Sequence, residues 1–307
     1  MKSKRIIGII LLLALIAGIV LVINLRPKSN DASQKLSVTA SYYPLYDFAK
    51  NIGGDKAVVT NITPAGSEPH DYEPTPQQLV ATQKSAVFIY NGATMEQWVT
   101  KFLPDYKAVV VKASQNIPLR QGTNENGSPD ATTADPHFWL DPVLAQQIVK
   151  NILAGFIQAD PSSSAYFTAN ANTYIAKLAA LDSQFKQGLA TCNQRTVVTS
   201  HAAFSYIGSR YNLNIVAIAG ITPGVEPSAA KLAELSNLVR QNHINYVFFE
   251  SLASPKLADT IAAETGAKTA VFDPIEGLTE SAQQQGKSYI SVQQQNLQNL
   301  RVALGCR

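Results

Sequence analysis

The stretch V-T-A-S-Y-Y-P-L-Y-D-F-A-K-N-I-G-G, residues 38–54, has a counterpart in V-T-S-H-A-A-F-S-Y-I-G-S-R-Y-N-L, residues 198–213. Each stretch begins as a short apolar run and continues with helical spacing. Each is followed by another apolar run and then by an I-T-P segment that ends in E-P, at residues 62–69 and 221–227. A helical run and a further apolar run come next in both cases. This repeated order predicts two halves of similar topology, as a duplication would produce.

Outside these two stretches, short apolar runs continue to alternate with amphipathic ones. Alternation of strands and helices is typical of βα units and parallel sheets, and it predicts an α/β fold. The candidate strands are residues 36–42, 58–62, 86–90, 108–112, 196–200, 214–219, 246–250 and 268–272.

Residues 141–190 are expected to be helical, with one break at Asp160-Pro161. Asp141-Pro142 fits an N-cap followed by the first helical position. Apolar residues recur at helical spacing from Ser162 to Leu189, and a helix of that length spans roughly 40 Å. A single helix of this kind would join the two halves stiffly. Residues 121–135 form a long polar loop in this interpretation.

Composition favours a globular body, because 46% of the 307 residues are apolar and 15% are charged. The formal net charge is +3. Residues 1–30 contain five Lys or Arg and no acid, so the remaining chain has 20 basic and 22 acidic residues. Since the body is not basic, no nucleic-acid partner is expected.

The amino-terminal segment resembles a membrane anchor. Ile6 to Leu25 carries no charge, and twenty helical residues span roughly 30 Å, the thickness of a bilayer core. The basic residues before it place that end in the cytoplasm and the body outside. An uncleaved anchor is favoured over a cleaved signal peptide, and residues 26–35 would be the linker. Either route gives an extracytoplasmic body.

The chain has two cysteines, Cys192 and Cys306. Outside the cytoplasm a cysteine pair forms a disulfide more often than it remains as two thiols. A bridge would hold a C-terminal helix in place, although two free thiols stay an alternative.

Three of the four histidines lie where α/β folds usually build ligand sites. His70 follows a candidate strand, His137 precedes a helix, and His201 ends the strand V-V-T-S-H. Three imidazoles suit zinc or a neighbouring transition metal. The fourth, His243, lies at a polar helix end and is expected to be solvated or to cap that helix.

A carboxylate at another strand end could complete such a site. Asp273, in A-V-F-D-P-I-E, and Glu250, in V-F-F-E-S, are the candidates. Asp-Pro is also a common turn initiator, so a purely structural role for Asp273 stays open.

Four motifs resemble the zinc/manganese solute-binding proteins of ABC transporters. They are S-E-P-H-D-Y-E-P-T at 67–75, D-P-H-F-W-L-D-P at 135–142, T-S-H-A-A-F-S-Y at 199–206 and F-D-P-I-E-G-L at 272–278. The resemblance covers about residues 36–307. It implies two α/β lobes with mostly parallel four-stranded sheets, joined by one long rigid helix. The implied divisions are 1–30 for the anchor or signal, 36–160 for the first lobe, 161–191 for the linking helix and 192–307 for the second lobe.

The resemblance also implies a metal site in the cleft between the lobes. His70 and His137 would be ligands from the first lobe, and His201 and Asp273 from the second. Glu250 would orient a histidine or act as a substitute ligand. Three nitrogens and one carboxylate favour zinc, with manganese as the alternative. Segment 121–135 lacks the His-rich loop of many zinc-type relatives, so mixed specificity stays open.

The function that follows is capture of a divalent metal and delivery to a membrane permease driven by a cytoplasmic ATPase. The protein would be a monomer and not an enzyme. Affinity should fall below roughly pH 6, because the ligands must be deprotonated. A shift of one lobe would release the metal by separating His201 and Asp273 from His70 and His137. A metal-containing adhesin and a zinc hydrolase are the alternatives, although no H-E-x-x-H motif supports the hydrolase.

Overall fold

The computed structural model describes residues 35–124, 129–223 and 227–307. Residues 35–307 form one compact unit. The predicted anchor, residues 6–25, lies outside the described residues. Within the described ranges, no helix combines the length and apolarity needed to cross a bilayer.

The first sheet contains four parallel strands in the order β2-β1-β3-β4. Its strands are β1 (Leu36–Ala40), β2 (Ala57–Asn61), β3 (Val87–Tyr90) and β4 (Val109–Lys112). β1 and β3 are buried almost throughout, as expected for central strands covered on both faces. All four strands lie where the apolar runs predicted them.

The second sheet repeats this arrangement with four parallel strands in the order β10-β9-β7-β8. Its strands are β7 (Thr196–Thr199), β8 (Asn214–Ala217), β9 (Tyr246–Phe249) and β10 (Lys268–Val271). Counted from its own first strand, the order matches that of the first sheet. The structure therefore confirms the similar topology predicted from the repeated sequence pattern.

A small antiparallel ladder was not predicted. β5 (Gln121–Thr123) pairs with β6 (Pro129–Ala134) inside the segment interpreted as a polar loop. The sequence has no apolar alternation there, because both strands are largely exposed. β-branched threonines in both strands fit the extended backbone without supplying a core-facing pattern.

Helices connect the strands and cover the sheets. They are α1 (Tyr43–Gly53), α2 (Pro76–Gln83), α3 (Val99–Phe102), α4 (Pro142–Ala159), α5 (Ser164–Gly188), α6 (Ser205–Tyr211), α7 (Ala229–Gln241), α8 (Lys256–Thr265), α9 (Glu280–Gln284) and α10 (Tyr289–Leu304).

The helical middle of the chain is confirmed, including its break. Asp141 caps α4 by accepting a hydrogen bond from the Val143 amide. Asp160 then accepts from the Ser163 amide in the turn that precedes α5. With 25 residues, α5 is about 37 Å long. This is the long helix that the resemblance implied between two α/β lobes.

One continuous apolar core joins the two sheets through α5. It contains Val38 and Val87 from the first sheet and Val197 and Phe248 from the second. Helix α5 contributes Phe167, among other side chains of its buried face. The two sheets therefore share one core on one side, while Val198 and Val247 of the second sheet pack into a separate cluster with the helices α7 and α8.

The predicted disulfide is present between Cys192 and Cys306. Cys192 follows α5, and Cys306 follows the last turn of α10. The Asn193 and Gln194 amides also donate to the Leu304 carbonyl, so the bridge and these bonds hold the end of α10.

Candidate metal centre

Four ligand-bearing side chains, two from each half of the chain, lie close together. His70, His137, His201 and Glu276 each offer one ligand atom, and these atoms all lie within 4.8 Å of one another. Two of the other ligand atoms, His70 Nε2 and Glu276 Oε1, lie 3.1 Å from His137 Nε2. The pairs His137–His201, His70–Glu276 and His201–Glu276 are each separated by 3.3 Å.

These separations have the size that a transition metal requires. An ideal tetrahedron with bonds of about 2.0–2.1 Å to zinc has edges of about 3.3–3.4 Å between its ligand atoms. The five distances of 3.1–3.3 Å fall just inside those edges. Three imidazole nitrogens and one carboxylate oxygen are also a donor set that zinc accepts.

The fold supplies these residues from the carboxyl ends of strands and from adjoining loops. His201 lies just beyond β7, and Glu276 lies in the loop that follows β10. His137 stands immediately before the short 3₁₀ turn Phe138–Leu140. His70 lies in the loop between β2 and α2, residues 62–75, which we call the His70 loop.

A carboxylate fixes the orientation of His137. Asp135 Oδ1 lies 2.8 Å from His137 Nδ1 and also accepts from the His137 amide at 3.0 Å. Burial alone lowers the pKa of His137, but Asp135 and Glu276 outweigh it and the net pKa is raised. A proton on Nδ1 leaves the Nε2 lone pair facing the centre.

Glu250 plays the same part for His201. Glu250 Oε1 lies 2.7 Å from His201 Nδ1 and accepts from the His201 amide at 3.2 Å. Burial lowers the pKa of His201, but Glu250 and Glu276 raise it well above its ordinary value. Glu250 therefore contacts the ring nitrogen that points away from the centre, where it can orient the histidine.

His70 is held differently. Among the described residues, no hydrogen-bond partner faces its Nδ1, and burial lowers its pKa despite the nearby Glu276. Its amide donates to Glu68 Oε1 at 3.2 Å. Burial and the adjacent Glu276 raise the pKa of Glu68 above its ordinary value.

Glu276 carries the negative charge at the centre. Burial would raise its pKa, but His201, His137 and His70 hold the pKa well below its usual range. With an exposed side-chain fraction of 1%, this carboxylate is shielded from water. The arrangement therefore offers a metal ion one anionic oxygen beside three imidazole nitrogens.

The structure does not bring Asp273, the predicted fourth ligand, into this cluster. Its Oδ1 accepts from the Ile275 amide at 2.7 Å, the local turn that Asp-Pro favours. Ile275 then adopts a φ of 58°, which is rare for a β-branched residue. Glu276, the next residue, lies against the histidines. Burial raises the pKa of Asp273 to about 6.

Sequence reasoning missed Glu276 and Asp135 as parts of the site. Both stand in the quoted motifs: Asp135 in D-P-H is two residues from His137, and Glu276 in D-P-I-E is three residues from Asp273. The spacing alone could not show which carboxylate faces the cleft. His243 lies exposed at the end of α7, away from the cluster, as predicted.

The fold and the centre together define a two-lobed metal-binding protein of the solute-binding class. The chain matches the family model described as zinc-uptake complex component A, periplasmic, over residues 38–303. The chain belongs to this family, which is one of transport proteins and not of enzymes.

Relatives agree in sequence and structure. The chain is 39% identical to the high-affinity zinc uptake system protein ZnuA of Bacillus subtilis, over 91% of both chains. It is 41% identical over 95% of its length to the zinc-binding lipoprotein AdcA of Streptococcus pneumoniae, of which it spans 60%. The crystal structure of the Zn(II)-bound ZnuA-like domain of that AdcA has a TM-score of 0.77 and 40% identity, with 88% of this chain and 99% of that one covered.

A further structural relative bears on the adhesin alternative. The laminin-binding protein Lmb of Streptococcus agalactiae is described as bifunctional, with adhesin and metal-transporting activity. The TM-score is 0.79 at 31% identity, covering 88% of this chain and 99% of that one. Adhesion thus occurs in this fold together with metal transport.

Proposed function

We propose that this protein captures a zinc ion in the cleft and delivers it to the permease of an ABC importer. The observation that carries the proposal is the convergence of three imidazole nitrogens and one carboxylate oxygen within 4.8 Å. Zinc-uptake relatives over nearly the whole chain support it. The loaded protein would dock on a membrane permease that a cytoplasmic ATPase drives.

The ligands we propose are His70, His137, His201 and Glu276. The fourth ligand differs from the Asp273 that the sequence suggested, because Asp273 is engaged with the backbone of its own turn. Nitrogen-rich sites favour zinc, whereas manganese prefers carboxylates, carbonyls and water. Asp135 and Glu250 act behind two of the histidines by holding their Nδ1 protons, which strengthens the Nε2 donors.

We further propose that the body is extracytoplasmic and monomeric, and that residues 6–25 tether it to the membrane. The periplasmic description of the family supports the location. The boundaries 36–160, 161–191 and 192–307 are our division into first lobe, linking helix and second lobe. They follow the two sheets and α5.

A metal titration tests the function. The purified full chain, stripped with chelator, should bind one zinc per chain at neutral pH, and zinc should displace manganese. The His201→Ala variant should lose tight binding, while the His243→Ala variant, altered at an exposed histidine outside the cluster, should bind normally. Preference for manganese would overturn the choice of metal. Failure to bind either ion would overturn the transport function.

A further inference from the structure

The carboxylate that orients His137 receives a hydrogen bond from the opposite half of the chain. Asp135 uses Oδ1 for the ring and the amide of His137. Its other oxygen, Oδ2, accepts from the hydroxyl of Ser205, the first residue of α6. Asp135 is only 1% exposed, so these donors have to satisfy a charge that water hardly reaches. A side chain of the second half therefore acts on a ligand of the first half through one carboxylate.

Tyr206 and Arg210, also on α6, contact the same motif D-P-H-F-W-L-D-P but do not bond this carboxylate. Tyr206 donates from its hydroxyl to the backbone carbonyl of Asp135 at 2.8 Å. Arg210 Nη2 lies 2.7 Å from Asp141 Oδ2, toward the far end of the motif. These contacts hold the motif against α6, whereas Ser205 bonds the group that holds the imidazole.

The other two histidines of the cluster lack such a contact. Glu250 orients His201 through Oε1, and among the described residues no hydrogen bond reaches Glu250 Oε2. In the His70 loop, no described side chain bonds Nδ1 of the histidine. The dependence on a donor from the opposite half is therefore a property of His137.

The hydroxyl of Ser205 restrains the carboxylate. Because both oxygens of Asp135 are engaged, rotation of the carboxylate breaks a hydrogen bond. Restrained in this way, Oδ1 keeps its bond to His137 Nδ1, which fixes the ring with Nε2 toward the centre. Without the hydroxyl, Oδ2 would be a buried acceptor that has lost its partner. The carboxylate would then turn or take up a water molecule, and its hold on the ring would loosen.

We propose that Ser205 is a positioning residue for zinc capture. Its hydroxyl fixes the Asp135 carboxylate, and the carboxylate fixes the ring of His137. This inference rests on the proposed function, which assigns His137 to the zinc site. If Ser205 only packed α6 against the motif, its removal would lower stability without a selective effect on His137.

Helix α6 supplies a matched control for a zinc titration of the full-length protein against a calibrated chelator. Ser205→Ala should lower zinc affinity about tenfold, the smaller end of the losses caused by removing partners of metal ligands, because it acts one contact further out. Ser205→Thr, which retains a hydroxyl, should restore most of the affinity. Ser209→Ala removes an exposed hydroxyl that bonds no other described residue, and affinity should stay unchanged. Unchanged affinity in Ser205→Ala would overturn the proposal.

A double-mutant cycle separates positioning from packing. Asp135→Ala should lower zinc affinity about 10–100-fold, because His137 loses its orienting partner. In that background, Ser205→Ala should have less than about a twofold further effect, since its route to the ring is gone. Equal losses from Ser205→Ala in both backgrounds would show that it acts through packing, and would overturn the proposal.

Proton NMR of the imidazole rings gives a readout that does not require zinc. His137 and His201 each hold Nδ1 against a carboxylate in the metal-free protein. In Ser205→Ala, the His137 Nδ1 proton should exchange with water about tenfold faster, while the His201 proton in the same spectrum should be unaffected. Equal changes at both rings, or none at either, would overturn the proposal.

The NMR comparison also distinguishes this inference from the proposed function. Failure of the unaltered protein to bind zinc would refute the transport function. The exchange of the His137 proton in metal-free Ser205→Ala would still show whether the hydroxyl positions the ring.

Discussion

At the scale of single residues, the identity of the fourth metal ligand can be tested most directly. Glu276→Gln removes the anionic oxygen from the centre, and zinc affinity should fall by about 100-fold or more. Such a loss exceeds what is typical for residues that only hydrogen-bond a metal ligand. Asp273→Asn changes a carboxylate that bonds its own turn, and affinity should fall by less than about tenfold. Competition against a calibrated chelator measures both.

This matched pair also separates binding from folding. Asp273 accepts from the backbone of a buried turn, so Asp273→Asn should lower the free energy of unfolding by about 1–2 kcal/mol in metal-free protein. A larger loss of affinity in Asp273→Asn than in Glu276→Gln would return Asp273 to the ligand set.

The pH dependence of affinity follows from the histidines. Burial lowers the pKa of His201, but Glu250 and Glu276 raise it well above its ordinary value in the metal-free protein. Protons therefore compete with zinc already above pH 6.5, the ordinary histidine pKa. Affinity should fall as the pH drops through this raised pKa, by about tenfold per unit for each proton displaced.

Glu250→Gln tests the cause of that dependence. Without the carboxylate, the pKa of His201 should drop, so the decline in affinity should begin at a lower pH. Affinity at neutral pH should fall about 10–100-fold, because the histidine loses its orienting partner. Glu234→Gln, at an exposed position on α7, is the control. It should change neither the affinity at neutral pH nor the pH at which affinity begins to decline. An unshifted profile in Glu250→Gln would contradict this assignment.

The three histidines of the cluster could be predicted from the sequence, but the carboxylate that faces them, Glu276, could not. Each histidine follows a strand or begins a turn, and residue type with position indicates a metal site. Whether Asp273 or Glu276 faces the histidines depends on the left-handed φ of Ile275. A β-branched residue rarely adopts such a φ, so the sequence gives no indication of it. Local backbone geometry that tertiary packing imposes cannot be obtained from spacing alone.

At the scale of elements, buried strands were predicted best. All eight strands of the two parallel sheets coincide with apolar runs, which are most continuous in the central strands because these are buried on both faces. The β5–β6 ladder was missed because its side chains face solvent and follow no apolar period. Burial leaves a signal in the sequence, whereas exposed pairing does not.

The end of helix α10 yields a stability prediction. The bond between Cys192 and Cys306 closes a loop with a sequence separation of 114. Reducing it should lower the free energy of unfolding by about 2–4 kcal/mol, measured by chemical denaturation with and without reductant. The double variant Cys192→Ser, Cys306→Ser should have the same free energy of unfolding as the reduced protein, and reductant should not change it. Equal stability of both redox forms would contradict a structural role.

At the scale of the whole molecule, the shared core decides how the protein unfolds. The largest cluster of buried side chains contains residues of both sheets and of α5, and the second sheet packs on a further cluster of its own. A domain division drawn from the two sheets therefore describes topology but not independent stability. Two lobes with separate cores would unfold in two steps, whereas a common core couples them.

Metal-free protein should accordingly unfold in one cooperative transition, observed by calorimetry and by tryptophan fluorescence at the same midpoint. Because zinc binds only the folded centre, excess zinc should stabilise the protein by about 2.7 kcal/mol at a free concentration 100 times the Kd. His201→Ala should keep the single transition and lose most of the zinc-dependent increase. Two separate transitions in metal-free protein would show that the sheets fold independently. Zinc stabilisation of only the later transition would then place the whole centre within one lobe, contrary to a cleft that draws ligands from both halves of the chain.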